Sequence, residues 1–338
     1  VPLYVEELAR LVAEQPGALL DPALPPTLSD LMTARLEAAG PAKRHAQVAS
    51  VLGQEFSASL FAAMAGGDEA EAVAALNELA ARAVIGRRTS DTYAFRHALV
   101  AVAAYDTLLR RERRRLHERV AEIILARNAL VAGEQPEIVA RHWTQAGRHQ
   151  EALNAWQAAA ELATRRRAFH EAEHAYRQAL SVLEQVALDD GDRIELAVRA
   201  AFNRVVQITQ GYSASEAGLS SQRVTELARR VDDRNARARE EQLRWRSVFT
   251  TGDYAAAEAI VEEVMALTQE HGPAVWRRTF RLRSGIQQGF YTGDLARGER
   301  DFVAWAAIQD GSHRGAGDDV LSMGIGGLIA LMTGRYEV

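Results

Sequence analysis

Tyr93-Ala94-Phe95-Arg96-His97-Ala98-Leu99-Val100 changes period in its middle. Tyr93, Phe95 and His97 alternate with Ala94 and Arg96, the spacing of a strand; from Ala98 onward Leu99, Val102, Ala103 and Leu108 recur at helical spacing. The stretch therefore predicts a strand that passes into a helix at His97. Unpaired N–H groups and the positive end of the helix dipole gather at such a start, so it suits an anion, phosphate above all. The alternative for His97 is a buried imidazole bonded to a backbone carbonyl.

Upstream, a helix over 3–14 ends in a loop holding Pro16, Pro22, Pro25 and Pro26. Thr27, with Asp30 three residues on, reads as a capped start for a helix running to Gly40. Pro41 opens the next, to Gly53; a short helix over 57–65 and another from Asp68 to about Arg82 follow. Val84-Ile85 and Tyr93-Phe95 read as two strands around the polar turn Arg87–Asp91. Helices closed by a small hairpin describe a winged helix. Its candidate recognition helix carries Asp68, Glu69, Glu71 and Glu78 against Arg82, the wrong sign for phosphate neutralisation, so nucleic-acid reading by this segment is not expected. The basic cluster Arg110, Arg111, Arg113, Arg114 and Arg115 reads as a solvated helix face at a junction.

Downstream the chain repeats. Gly147, His149, Ala152, Trp156 and Ala159 stand at offsets that Ala168-Phe169, Ala172, Tyr176 and Ala179 copy in part. Gly211, Gly252, Gly293 and Gly334 then follow one another at a constant spacing, and Thr251, Thr292 and Thr333 precede three of them. A fixed period of this kind means stacked helical hairpins, a mainly α solenoid similar to tetratricopeptide repeats. The expected domains are residues 1–26, a winged helix over 27–112, and a repeat solenoid over 113–338.

The 338 residues include no cysteine, which excludes disulfides, thiolate catalysis and cysteine–zinc sites. The formal net charge of −5 gives no general pull toward nucleic acid or anionic membrane. No apolar run is long enough to span a bilayer and no signal peptide opens the chain, so a cytoplasmic location is expected. The start at Val1 and the stop at Val338 inside a repeat read as those of a fragment. Lys43 is the single lysine, and Pro41-Ala42-Lys43-Arg44-His45 has neither the glycines nor the hydroxyl of a P-loop; the fragment alone is expected to be no enzyme and to hold no cofactor.

Pro2-Leu3-Tyr4-Val5-Glu6-Glu7-Leu8 resembles the G-[NR]-P-[LF]-[YF]-[VL]-E-E-L segment that closes the nucleotide-binding domain of bacterial STAND ATPases. Leu24–Leu28, Val51–Phe56 and Phe95–Leu99 match further landmarks of the group. The chain is most similar to the ATPase and repeat regions of class III adenylate/guanylate cyclase proteins and of LuxR-type ATP-dependent transcription regulators. The resemblance implies that residues 1–26 are the end of an ATPase lid with its linker. It implies ATP or ADP as the intact protein's cofactor, Pro2 against the adenine and His97 at the β-phosphate. It also implies an upstream ATPase domain as partner and an output domain elsewhere. A free-standing repeat scaffold is the alternative outside these families.

Three further features were weighed. His170-Glu171-Ala172-Glu173-His174 matches the H-E-x-x-H of zinc proteases, but the repeat accounts for the same residues and places both histidines at a solvent edge. Asp189–Asp192 lacks the alternating ligands of a calcium loop. Arginines interleave with aromatics at Arg244, Trp245, Arg246, Phe249 and again at Trp276–Arg283. A guanidinium beside an aromatic suits a carboxylate or phosphate on a flat body, so Arg246 and Arg281 are expected to bind an acidic partner segment or a small anionic effector on the concave face.

Overall fold

The computed structural model describes residues 27–66, 68–127, 133–186, 190–211, 215–268, 274–308 and 317–335. Pro2 and the helix expected over 3–14 lie outside these residues. Thr27 starts the first described helix, α1 (Leu28–Ala38). Its hydroxyl accepts from the Asp30 N–H and donates to the Asp30 carboxylate, a local variant of the expected capping box. α2 (Ala42–Leu52) ends at Gly53, and β1 (Glu55–Ser57) follows. α3 (Ala58–Ala65) is capped by Ser57, and α4 (Glu69–Ala81) by Asp68.

The hairpin forms as β2 (Ile85–Arg87) and β3 (Thr92–Phe95). Arg87 ties the turn by donating to the carbonyls of Thr89 and Ser90. The sheet has a third strand that the sequence reading missed: its order is β1-β3-β2, antiparallel, with Phe56 opposite Tyr93 and Ile85 opposite Phe95. β3 is therefore central, and Tyr93, Ala94 and Phe95 are all buried, so alternation along it does not sort core from solvent. Phe56, Phe61, Tyr93 and Phe95 cluster around one another with ring centroids of Phe56 about 6 Å from the other three.

Next come α5 (Ala98–Asp106), α6 (Arg110–Arg127), α7 (Pro136–Ala146) and α8 (His149–Arg165). The chain forms two compact units divided within α8, residues 1–161 and residues 162–338. The second holds α9 (Phe169–Leu183), α10 (Gly191–Gln210), α11 (Ser215–Arg230) and α12 (Arg234–Thr250). α13 (Tyr254–Thr268), α14 (Ala274–Thr292), α15 (Leu295–Ala306) and α16 (Gly317–Met332) complete it.

The periodic glycines each follow the end of a helix, and all have positive φ: 92° at Gly211, 84° at Gly252, 82° at Gly293 and 79° at Gly334. A left-handed residue after a helix end satisfies the last carbonyls without a Cβ clash, which is why glycine recurs there. Successive hairpins bury their own cores, such as Trp245, Phe249, Ile260, Val264 and Phe280 between α12, α13 and α14. The molecule is thus mainly α with a helical-repeat solenoid, as the periodicity predicts.

Candidate functional sites

β3 delivers the chain to α5 through His97, whose backbone is extended (φ −132°, ψ 133°) at the N-cap position. Its side chain does not cap the helix. The first-turn residues Ala98 and Leu99 are exposed, and so is Arg96 on the incoming side. Uncapped N–H groups, a half-buried imidazole and an exposed guanidinium thus meet at one turn, a setting that fits an anion. α5 continues outward with an unusual apolar surface, since Leu99 and Val102 are 41% and 52% exposed.

The other end of α5 carries a partly buried polar chain that the sequence reading did not find. The Tyr105 hydroxyl lies 2.9 Å from His117 Nε2, and His117 Nδ1 lies 2.8 Å from His142 Nδ1. Arg113 stacks over the Tyr105 ring at 4.1 Å and donates to the Tyr105 carbonyl. Burial, with Arg113 beside His117 and with His117 and Arg141 beside His142, pushes both imidazoles well below the ordinary histidine range. One ring must therefore donate Nδ1–H and the other accept, which links α5, α6 and α7. The residues are 12 and 25 positions apart, and no local pattern joins them.

In the repeats, the aromatics named above serve the core: Trp245 is 3% exposed and Phe280 3%, and the two rings meet edge to face. Arg246 is half-buried. Arg281 is exposed and paired with Glu262 at 2.9 Å, a surface contact weak enough to exchange for another carboxylate. The histidines of H-E-x-x-H, His170 and His174, are exposed. Between them Glu173 is buried, accepting from Thr209, Gln210 and Arg177. Among the described residues, no three metal-ligating side chains gather.

Glu240 is also buried, 2% exposed, and accepts from Asn203 at 3.1 Å and Ser221 at 2.9 Å. Burial, only partly offset by those hydrogen bonds and by Arg204, pushes its carboxyl up to about 7. Glu240 and, apart from Arg177 on its own helix, Glu173 have their partners on neighbouring helices, so sequence reading did not find them.

No protein-family model matches the chain. A protein of Rhizobium meliloti (strain 1021) described as uncharacterized is 25% identical over 264 residues, which is 74% of this chain. The chain spans about a quarter of the length of that curated relative. Among solved structures, a STAND protein with a tetratricopeptide repeat sensor from Pyrococcus horikoshii aligns at 10% identity and a TM-score of 0.41, over 100% of this chain and 55% of that one. Similarity at that level transfers neither ligand nor activity.

Proposed function

We propose that this chain is the regulatory, effector-reading part of a larger STAND-type, ATP-dependent signalling protein. The observation that carries this reading is the series of positive-φ glycines at a constant spacing, each at the end of a helix. Stacked hairpins of this kind present a long continuous surface, which suits recognition and offers no reacting group. Arg246 on α12 and Arg281 on α14 would contact an acidic segment of a partner on that surface.

The resemblance of residues 2–8 and 95–99 to nucleotide-switched ATPases supplies the other half. His97 and the uncapped first turn of α5 would hold a phosphate of bound ADP, and the nucleotide, when bound, supplies the difference between the closed and open states. The exposed Leu99 and Val102 would pack against the ATPase core that presents that nucleotide. The output we infer is a nucleotidyl cyclase; the acidic outer residues of α4 speak against DNA reading by this unit.

The test is made on the longer protein, with and without residues 191–335. The sensor reading expects removal of these repeats to change the rate of ADP release several-fold. Equal rates in the two proteins would remove it.

A further inference from the structure

A pocket of about 730 Å³ opens where α10 meets the start of α12 and the turn between α11 and α12. Arg193, Leu196, Ala200 and Arg204 reach it from α10. Their offsets of 3, 7 and 11 residues put them on one stripe of the helix. Arg234 and Arg239 reach it from α12, and Val231 from the turn. Four guanidiniums thus surround an apolar floor in a molecule whose net charge is −5.

The carboxylates nearby do not neutralise this group. Asp233 caps α12, accepting from the Ala236 N–H at 2.9 Å. Asp192 is paired with Arg230 at 2.7 Å, and Glu195 with Arg199 and Arg223 at 2.7 and 2.9 Å. Asp232 and the capping Asp233 remain at the pocket as opposing charges, against four guanidiniums. Among the described residues, no carboxylate forms an ion pair with Arg193, Arg204 or Arg239, and all three are exposed.

We infer that this pocket binds a small organic phosphate, its dianion held by Arg204 and Arg239 and its apolar body lying on Leu196, Ala200 and Val231. Guanidinium forks match phosphate oxygens two at a time, so two arginines on neighbouring helices favour a dianion over a single carboxylate. The volume is that of a ligand cavity, and the lining comes from three neighbouring elements, which favours a compact molecule over an extended peptide. The inference rests on the sensor reading for its consequence, since it names the effector class that the repeats would read.

The experiment titrates the 338-residue chain by calorimetry with phenyl phosphate, inorganic phosphate and phenol. Phenyl phosphate should bind, inorganic phosphate about tenfold more weakly for want of an apolar body, and phenol not at all. Raising salt from about 50 to about 200 mM should weaken binding several-fold. The R204E/R239E variant should lose binding while keeping its helical circular dichroism, and the milder R204Q/R239Q variant should weaken it at least about tenfold. Absence of phenyl phosphate binding, or binding that neither variant changes, overturns the proposal. So does a glutamate-rich peptide that binds the pocket more tightly than phenyl phosphate. Phenyl phosphate that binds here without altering ADP release in the longer protein keeps the pocket and removes the sensor reading; failure to bind removes the pocket alone.

Discussion

His117 and His142 meet through their Nδ1 atoms, 2.8 Å apart, and are held neutral by burial and by the arginines around them. Both are depressed from an unfolded value of about 6.5. The stability this neutral pair contributes is fully present above that value. It is lost as pH falls below it, because the unfolded chain then takes up protons that the folded chain refuses. Replacing His142 with Gln keeps a hydrogen-bonding group and removes one titration. Urea midpoints measured from about pH 7 to about pH 5 should fall less steeply in H142Q than in the wild type. Equal slopes would mean that the pair carries no linkage.

Glu240 works in the opposite sense. Its carboxyl is raised to about 7 in the fold, from an ordinary value of about 4.3 in the unfolded chain. Its contribution is therefore present at low pH and declines as pH rises through 7. Glu240→Gln keeps the shape without the buried charge. At about pH 8 it should stabilise the chain by roughly 1–3 kcal/mol, and near pH 4 the difference should vanish. Thermal unfolding at both pH values checks this.

Gly289 on α14 faces Gly298 on α15 so closely that a Cβ on Gly289 would lie 2.6 Å from the Gly298 Cα. The obstacle is backbone, which cannot move aside as a side chain does. Gly289→Ala should cost about 1–3 kcal/mol, in the range of an overpacked core. Gly324, inside α16, has open space around the same position. Gly324→Ala should instead gain about 0.5–1 kcal/mol through helix propensity. Denaturant titration of both variants separates close packing from propensity.

Arg167 has a φ of 60° at the end of α8, where the glycine of the preceding hairpin, Gly147, has 75°. The turn keeps its left-handed backbone although the glycine is missing, and an L side chain there costs about 1 kcal/mol. Arg167→Gly should raise the melting temperature slightly, and a fall would show that the guanidinium holds the turn.

What could be read in advance was what local spacing encodes. The glycine ladder named the solenoid, and the change of period at His97 placed the strand-to-helix joint to the residue. β1 was missed because three residues holding one buried side chain, Phe56, give no alternation to detect. Of the arginines interleaved with aromatics, the structure shows the aromatic half: Trp245 and Phe280 are core residues, while neighbours in sequence point about 100° apart, so Arg244 and Arg246 flank Trp245 without sharing its face. The pocket arginines, by contrast, come from two helices and leave no contiguous signature. The same holds for the partly buried chain from Tyr105 to His142.

The central claim is that His97, at the uncapped start of α5, is where this regulatory chain senses bound nucleotide. The most direct measurement is the affinity of the longer protein for ADP, compared between the wild type and His97→Ala, with helical content checked in parallel. Loss of one charge-assisted contact to phosphate should weaken ADP by about tenfold or more. An affinity unchanged by the substitution, in a protein that still folds, would contradict the account.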